Sequence, residues 1–238
     1  MTTQSGMNDA VVLITGAAGN LGRAVAEVFA QRGARLALVD LHADRLAAAF
    51  GEAGDRRMFL AADLMKAAEA DALAQAVVKR FGRIDVLCNL AGGFRMGTPV
   101  HGTEDSTWSF LYDLNVRTVQ HMAHAVVPQM QQQGSGKIVN IGAFSAQRGL
   151  ANMSAYIAAK SAVIRLTESM AAELRTQNIN VNCVLPTIID TPENRLDMPD
   201  ADPANWVAPR DLAQVIAFLA SDAARAVHGA ALPVTGLS

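Results

Sequence analysis

A doubly wound parallel α/β sheet is the fold this sequence predicts, and three observations predict it. Short apolar runs alternate with helix-period segments along the whole chain. Hydrophobic residues make up 51% of the 238, enough to bury a sheet on both faces. The first apolar run also leads into a glycine-rich turn that opens a helix. Single α/β domains commonly reach ~200 to 250 residues, so one domain over 10–238, preceded by a flexible segment 1–9, accounts for the chain.

Seven runs read as strands: 11–15, 35–40, 58–62, 84–90, 137–142, 180–185 and 230–234. Helical patterns fall between them at 21–32, 44–50, 67–81, 105–132, 153–176 and 210–221. The Gln- and Gly-rich stretch 129–136 reads as a frayed helix end and turn. Segment 92–103 follows the carboxyl end of a strand, where open α/β sheets bind ligands. Segment 187–206, with Pro192, Pro199 and Pro203, is long for a connector in a compact domain and reads as a lid.

Composition excludes several functions. A net charge of −2 without a run of Lys and Arg gives no footprint for nucleic acid. No apolar run is long enough to span a bilayer, and the N-terminus lacks the pattern of a secretory signal, so a cytoplasmic protein is expected. Cys88 and Cys183 lie in apolar strand runs and read as buried, reduced thiols. His121 and His124 share a helix face, but no third ligand follows at a suitable spacing, so no metal is expected.

The turn Thr15-Gly16-Ala17-Ala18-Gly19-Asn20-Leu21-Gly22 carries the first chemistry. Gly16, Gly19 and Gly22 let the backbone turn sharply, approach a pyrophosphate and enter a helix whose first amides face the anion, with Asn20 and Leu21 in that first turn. Asp40 ends the second strand, eighteen residues beyond Gly22, where a carboxylate accepts from ribose hydroxyls. It would repel a 2′-phosphate, and no basic side chain stands at Gly19, so the pattern points to NAD(H) on a Rossmann-type sheet. The plain alternative is a strand-to-helix turn and a solvated strand end. Asp63, ending the third strand, either faces the adenine or caps the next helix.

Tyr156 and Lys160 supply the second chemistry. Four residues apart on a helix, a phenol and an ammonium share one face and can act on one molecule. A nearby cation pulls a phenol's pKa down from ~10 toward the range where it exchanges protons with substrate.

With these residues in order, joined by Asn89-Leu90-Ala91-Gly92 and by Asn115 in Asp113-Leu114-Asn115-Val116, the chain resembles the short-chain dehydrogenase/reductase family over nearly its whole length. The resemblance implies that Tyr156 is the acid/base, that Lys160 binds the nicotinamide ribose and lowers the tyrosine pKa, and that Asn115 holds a water in a proton relay. It also implies that Asn89, Ala91, Gly92, Pro186 and Ile189 line the cofactor, and that the enzyme forms a homodimer or homotetramer through the two long helices.

The chain departs from the family pattern at three places. A serine usually stands thirteen residues before the tyrosine, and here that position is Ala143. Losing such a donor costs ~2.7 to 4 kcal/mol where charge develops on the substrate oxygen. Ser145 and Ser154 are nearby candidates to replace it. Asn20 replaces the middle glycine of the usual turn, and Thr187 follows Pro186 where the family has glycine. These departures, with Asp190-Thr191-Pro192-Glu193-Asn194-Arg195 and Trp206, are similar to the dihydropteridine reductase branch, which implies a quinonoid dihydropterin substrate. The alternatives are an ordinary ketone or alcohol enzyme, such as a 3-oxoacyl reductase or sugar dehydrogenase, and a non-catalytic NAD(H)-binding redox sensor.

Overall fold

In the computed structural model, residues 7–238 are described. Seven strands, β1 Val11–Thr15, β2 Arg35–Asp40, β3 Arg57–Ala61, β4 Val86–Asn89, β5 Gly136–Ile141, β6 Ile179–Pro186 and β7 Ala231–Val234, form one parallel sheet in the order β3-β2-β1-β4-β5-β6-β7. The order reverses between β1 and β4, and such a switch point opens a crevice beyond the strand carboxyl ends.

The sheet is buried on both faces because its strands are apolar at consecutive positions. In β1, Val12 and Ile14 enter one core with Val25 and Phe29 of α1 (Asn20–Gln31) and Leu212 and Ile216 of α8 (Pro209–Leu219). Val11 and Leu13 enter the other, with Leu73 and Val77 of α3 (Ala67–Phe81) and Met122 and Val126 of α5 (Thr118–Gln133). Alternating side chains of one strand thus hold helices on opposite faces.

The remaining helices are α2 Ala43–Phe50, α4 Asp105–Tyr112, α6 Ser154–Leu174 and α7 Pro192–Asp197. Several sequence expectations change in detail. The helix expected over 105–132 is α4 and α5 joined by a π-helical turn, Asp113–Arg117, a local widening common at functional sites. The stretch 129–136 is not a frayed end: α5 runs to Gln133, and Gly134 ends it in the left-handed conformation with φ 70°. β4 is shorter than expected because side chains take its end amides. Gln133 accepts from Ile84 N at 2.9 Å, and the Thr15 hydroxyl accepts from Leu90 N and Ala91 N at 3.0 and 3.1 Å.

Of the segment 1–9, residues 1–6 lie outside the described residues. Met7 is buried, and the Asp9 amide donates to the Gly33 carbonyl, so residues 7–9 pack on the turn between α1 and β2. Residues 187–206 contain α7 and a 3-10 turn, Pro203–Asn205, and an isolated bridge between Ile189 and Val207 closes the base of the segment.

Candidate active site

A cleft of about 310 Å³ opens at the switch point, walled by Gly16, Gly19, Asp40, Asp63, Ala91 and Gly92. A larger hollow, about 450 Å³ beside Met7, Arg35, Asp85 and Lys137, lies among residues that begin β2 and β5, the opposite edge from these site residues. The cleft at the strand carboxyl ends is the one that collects them.

The glycine turn is fixed by close packing. A Cβ on Gly22 would strike the carbonyls of Gly16 and Ala17, so only glycine lets α1 begin where it does. Gly19 is the N-cap of α1 and no side chain caps the helix, which leaves the first-turn amides of Asn20, Leu21 and Gly22 without intrahelical partners. Asp40 is 7% exposed and receives the Ala18 amide on one oxygen at 3.1 Å and the Leu41 amide on the other at 3.0 Å. Its carboxylate therefore ties the turn to β2 while lining the cleft, and each oxygen can accept a further hydrogen bond. Asp63 lines the cleft, and its side chain accepts the Met65 amide at 3.1 Å. It is not the helix cap: Lys66 occupies that position for α3.

At the other end, two polar side chains converge on Gly92. A Cβ there would lie 2.8 Å from Asn115 Oδ1 and 3.3 Å from Lys160 Nζ, so glycine keeps the passage open. The π-helical turn carries Asn115, whose amide group donates to the carbonyls of Leu111 and Gly93 at 2.9 and 3.0 Å while Oδ1 accepts from Gly93 N at 3.2 Å. Lys160 is buried and donates to the Ile141 carbonyl at 2.9 Å. Burial pulls its pKa down to about 8, against a smaller upward pull from Cys183.

Tyr156 stands one helical turn before Lys160, with its ring edge-on to Phe94 at 4.8 Å between centroids. The expected lowering of its pKa is not present. Burial beneath Phe94 pushes the phenol up to about 12, because removing solvent disfavours phenolate. Phe94 was not singled out in the sequence; its signal was only that it follows Gly92-Gly93 at a strand end.

Ala143 is buried in extended backbone at the end of β5 and packs in the cluster that includes Tyr156. The two candidate serines stand in different elements. Ser145 sits in the 3-10 turn Phe144–Gln147 that follows. Ser154 opens α6 two residues before Tyr156, which puts it about 200° around the helix from the phenol, and its hydroxyl is buried without a partner.

The other expected cofactor residues divide. Ala91 and Gly92 line the cleft. Asn89 is buried in the sheet, donating to Asn140 Oδ1 at 2.8 Å, and its own carbonyl oxygen has no partner among the described residues. Pro186 ends β6 in a buried position, and Ile189 packs on the α1–α8 core at the base of segment 187–206.

That segment touches the glycine turn directly. Asn20 Nδ2 donates to Glu193 Oε2 of α7 at 2.8 Å, and Arg23 donates to Asn20 Oδ1 at 2.8 Å. Arg195 closes a two-bond pair on Asp190 at 2.6 and 2.8 Å. Thr187 donates to the Thr235 carbonyl and contacts Ser238, which anchors the chain terminus under the same segment.

Both cysteines are free and buried. His121 turns Nδ1 onto the Leu64 carbonyl at 2.8 Å, and among the described residues no cluster of three metal-ligating side chains occurs. No described helix is long and apolar enough to cross a membrane.

Residues 10–201 match the family model for short chain dehydrogenase. The chain belongs to the short-chain dehydrogenase family. It is an oxidoreductase of that family, similar to cis-4-hydroxycyclohexanecarboxylate dehydrogenase of Sinomonas cyclohexanicum at 35% identity over 95% of each chain. It is 36% identical to D-threitol dehydrogenase of Mycolicibacterium smegmatis over 95% of this chain and 91% of that one. Among solved structures it resembles NAD+-bound xylitol dehydrogenase with a TM-score of 0.88, at 28% identity over 97% of this chain and 99% of the other.

Proposed function

We propose that this short-chain dehydrogenase uses NAD(H) to interconvert a ketone and a secondary alcohol on a small molecule, with Tyr156 as acid/base. The observation that carries the reading is the convergence of Lys160 and Asn115 on Gly92 at the end of a cleft that begins at Asp40. The residues fit a dinucleotide: uncapped α1 amides suit a pyrophosphate, the Asp40 lone pairs suit ribose hydroxyls, and the glycine notch at 92 admits a ring. The bound nicotinamide supplies or accepts the hydride.

Tyr156, holding its proton in the free enzyme, serves as the acid for carbonyl reduction. Lys160 uses one of its three donors on Ile141 and has two left to orient a ribose and to stabilise phenolate in the reverse direction. Asn115 has both amide hydrogens engaged, so its contribution to a proton relay is the second lone pair of Oδ1. Phe94 packs edge-on against the Tyr156 ring. A single domain over 10–238 would carry both cofactor and substrate, acting in the cytoplasm as a homodimer or homotetramer.

Ala143 favours a second reading. Without a hydroxyl to hold a developing alkoxide, an imine such as quinonoid dihydropterin would suffer less than a ketone. The alcohol dehydrogenases named above support the ketone reading instead. A panel of 4-oxocyclohexanecarboxylate, a keto sugar, an acetoacetyl ester and quinonoid dihydropterin, followed by NADH oxidation, separates the readings. Turnover on a ketone above that on the pterin supports the first. The reverse order supports the second.

A further inference from the structure

Helix α6 carries Tyr156 and Lys160, and two contacts on one of its faces tie it to β5. Lys160 Nζ donates to the Ile141 carbonyl at 2.9 Å, and Thr167 Oγ1 accepts from Asn140 Nδ2 at 2.9 Å. Lys160 and Thr167 are about two helical turns apart, so the same face of α6 meets the strand twice. The Thr167 contact also ends a polar chain through the core. Thr167 donates its hydroxyl hydrogen to the Val163 carbonyl at 2.8 Å, and Asn140 Oδ1 accepts from Asn89 Nδ2 of β4 at 2.8 Å. Asn89, Asn140 and Thr167 are all buried, and the chain they form fastens α6 to the strand end that leads into Ala91 and Gly92.

We propose that Thr167 is a positioning residue for the reaction: its hydroxyl sets where α6 sits along β5, and thereby where Tyr156 and Lys160 stand relative to Gly92. The inference rests on the roles given to Tyr156 and Lys160 above. Around this contact α6 packs through Val163, Ile164, Ala171 and Leu174, and apolar contact has no directional preference. A hydrogen bond between two buried groups has a preferred length and angle, and a helix that slides leaves both groups unsatisfied. It therefore resists a shift that apolar packing alone permits. Lys160 cannot supply this restraint, because its flexible stem absorbs a shift, whereas threonine is branched at Cβ and stiff. A displacement of about 1 Å at a reacting group can cost ~10²-fold in rate. Thr167, which touches neither substrate nor cofactor in this reading, acts on turnover through the helix it holds.

The test compares wild type, Thr167→Val and Thr167→Ser by turnover at saturating NADH on the best ketone, by the pH dependence of alcohol oxidation and by melting temperature. Thr167→Val keeps the shape and removes the hydroxyl, so it should lower kcat about tenfold with NADH affinity within about threefold. Its oxidation profile should move to higher pH, since a phenol held less closely to the Lys160 charge ionises later. Thr167→Ser should recover most of the loss. Should Thr167→Val fail to fold, the double variant Asn140→Leu with Thr167→Val, which replaces both partners by apolar groups of similar shape, is read in the same way. Wild-type kcat and pH profile in the folded variant, whatever the fall in melting temperature, overturn the proposal and leave the contact a matter of stability. A loss in Thr167→Ser equal to that in Thr167→Val overturns it too. Tyr156→Phe is assayed alongside: full activity there would overturn the acid/base role itself, an outcome distinct from an unaffected Thr167→Val.

Discussion

The two ends of the cleft are built by opposite means. At the ribose end, backbone groups do the positioning: α1 amides stand uncapped, and Asp40 is pinned by the amides of Ala18 and Leu41. At the chemical end, side chains position one another. Asn115 is tied to the Gly93 loop, Lys160 hangs from a carbonyl of β5, and Phe94 covers Tyr156. The first arrangement tolerates change in side chains that do not touch it. The second should lose function when any of these side chains is removed, because each holds or covers another.

Lys160 belongs to both ends and offers the largest expected effect. Lys160→Met should lower kcat/KM by more than ~10²-fold and weaken NADH binding as well, read by steady-state kinetics and fluorescence titration. The same variant tests the burial argument through stability. Lys160 has a folded pKa of about 8, below the ordinary lysine value of 10.5, so between these values the unfolded chain binds the extra proton. Wild type should therefore gain stability relative to Lys160→Met as pH rises from about 8 to 10.5, and show no such gain below 8. Parallel melting curves across that range check the sign.

Ala143→Ser sharpens the comparison, since it adds a donor at the chemical end alone. The site is buried beside Tyr156, so a hydroxyl there should raise kcat/KM on a ketone by up to ~10²-fold with NADH affinity unchanged. Little gain on any ketone would favour the imine reading. A smaller effect belongs to the contact between Asn20 and Glu193, which crosses from the glycine turn to α7. Glu193→Ala should speed NADH release by about threefold in stopped-flow fluorescence and leave the pH profile of turnover unchanged.

The same contrast explains what the sequence revealed. β1 and β2 match their expected spans because consecutive apolar residues buried on both faces leave a local signal, and so does a glycine packed against its own turn, as at Gly22. Spacing alone located Asp40, Tyr156 and Lys160. The π-helical turn at Asn115 was hidden because one extra residue per turn barely disturbs the apolar period of 105–132. Residues 129–133 misled because glutamine is a good helix former that resembles a linker in composition. Phe94 over Tyr156, Arg45 beside Asp40 and Glu193 on Asn20 depend on chain segments meeting in space, the last across 173 residues, and no local pattern records that. The upward shift of the tyrosine pKa has a related origin: it comes from burial, which the sequence does not show.

The central claim is that recognition of the nucleotide and transfer of the proton reside in separate ends of one cleft. Measuring NADH affinity and turnover at saturating NADH for Asp40→Ala and Tyr156→Phe on the best ketone tests it directly. The account expects Asp40→Ala to weaken NADH by about tenfold with turnover near wild type, and Tyr156→Phe to cut turnover by ~10²-fold or more with NADH affinity within about twofold. Near-normal turnover in Tyr156→Phe, or equal damage to both quantities in both variants, would contradict it.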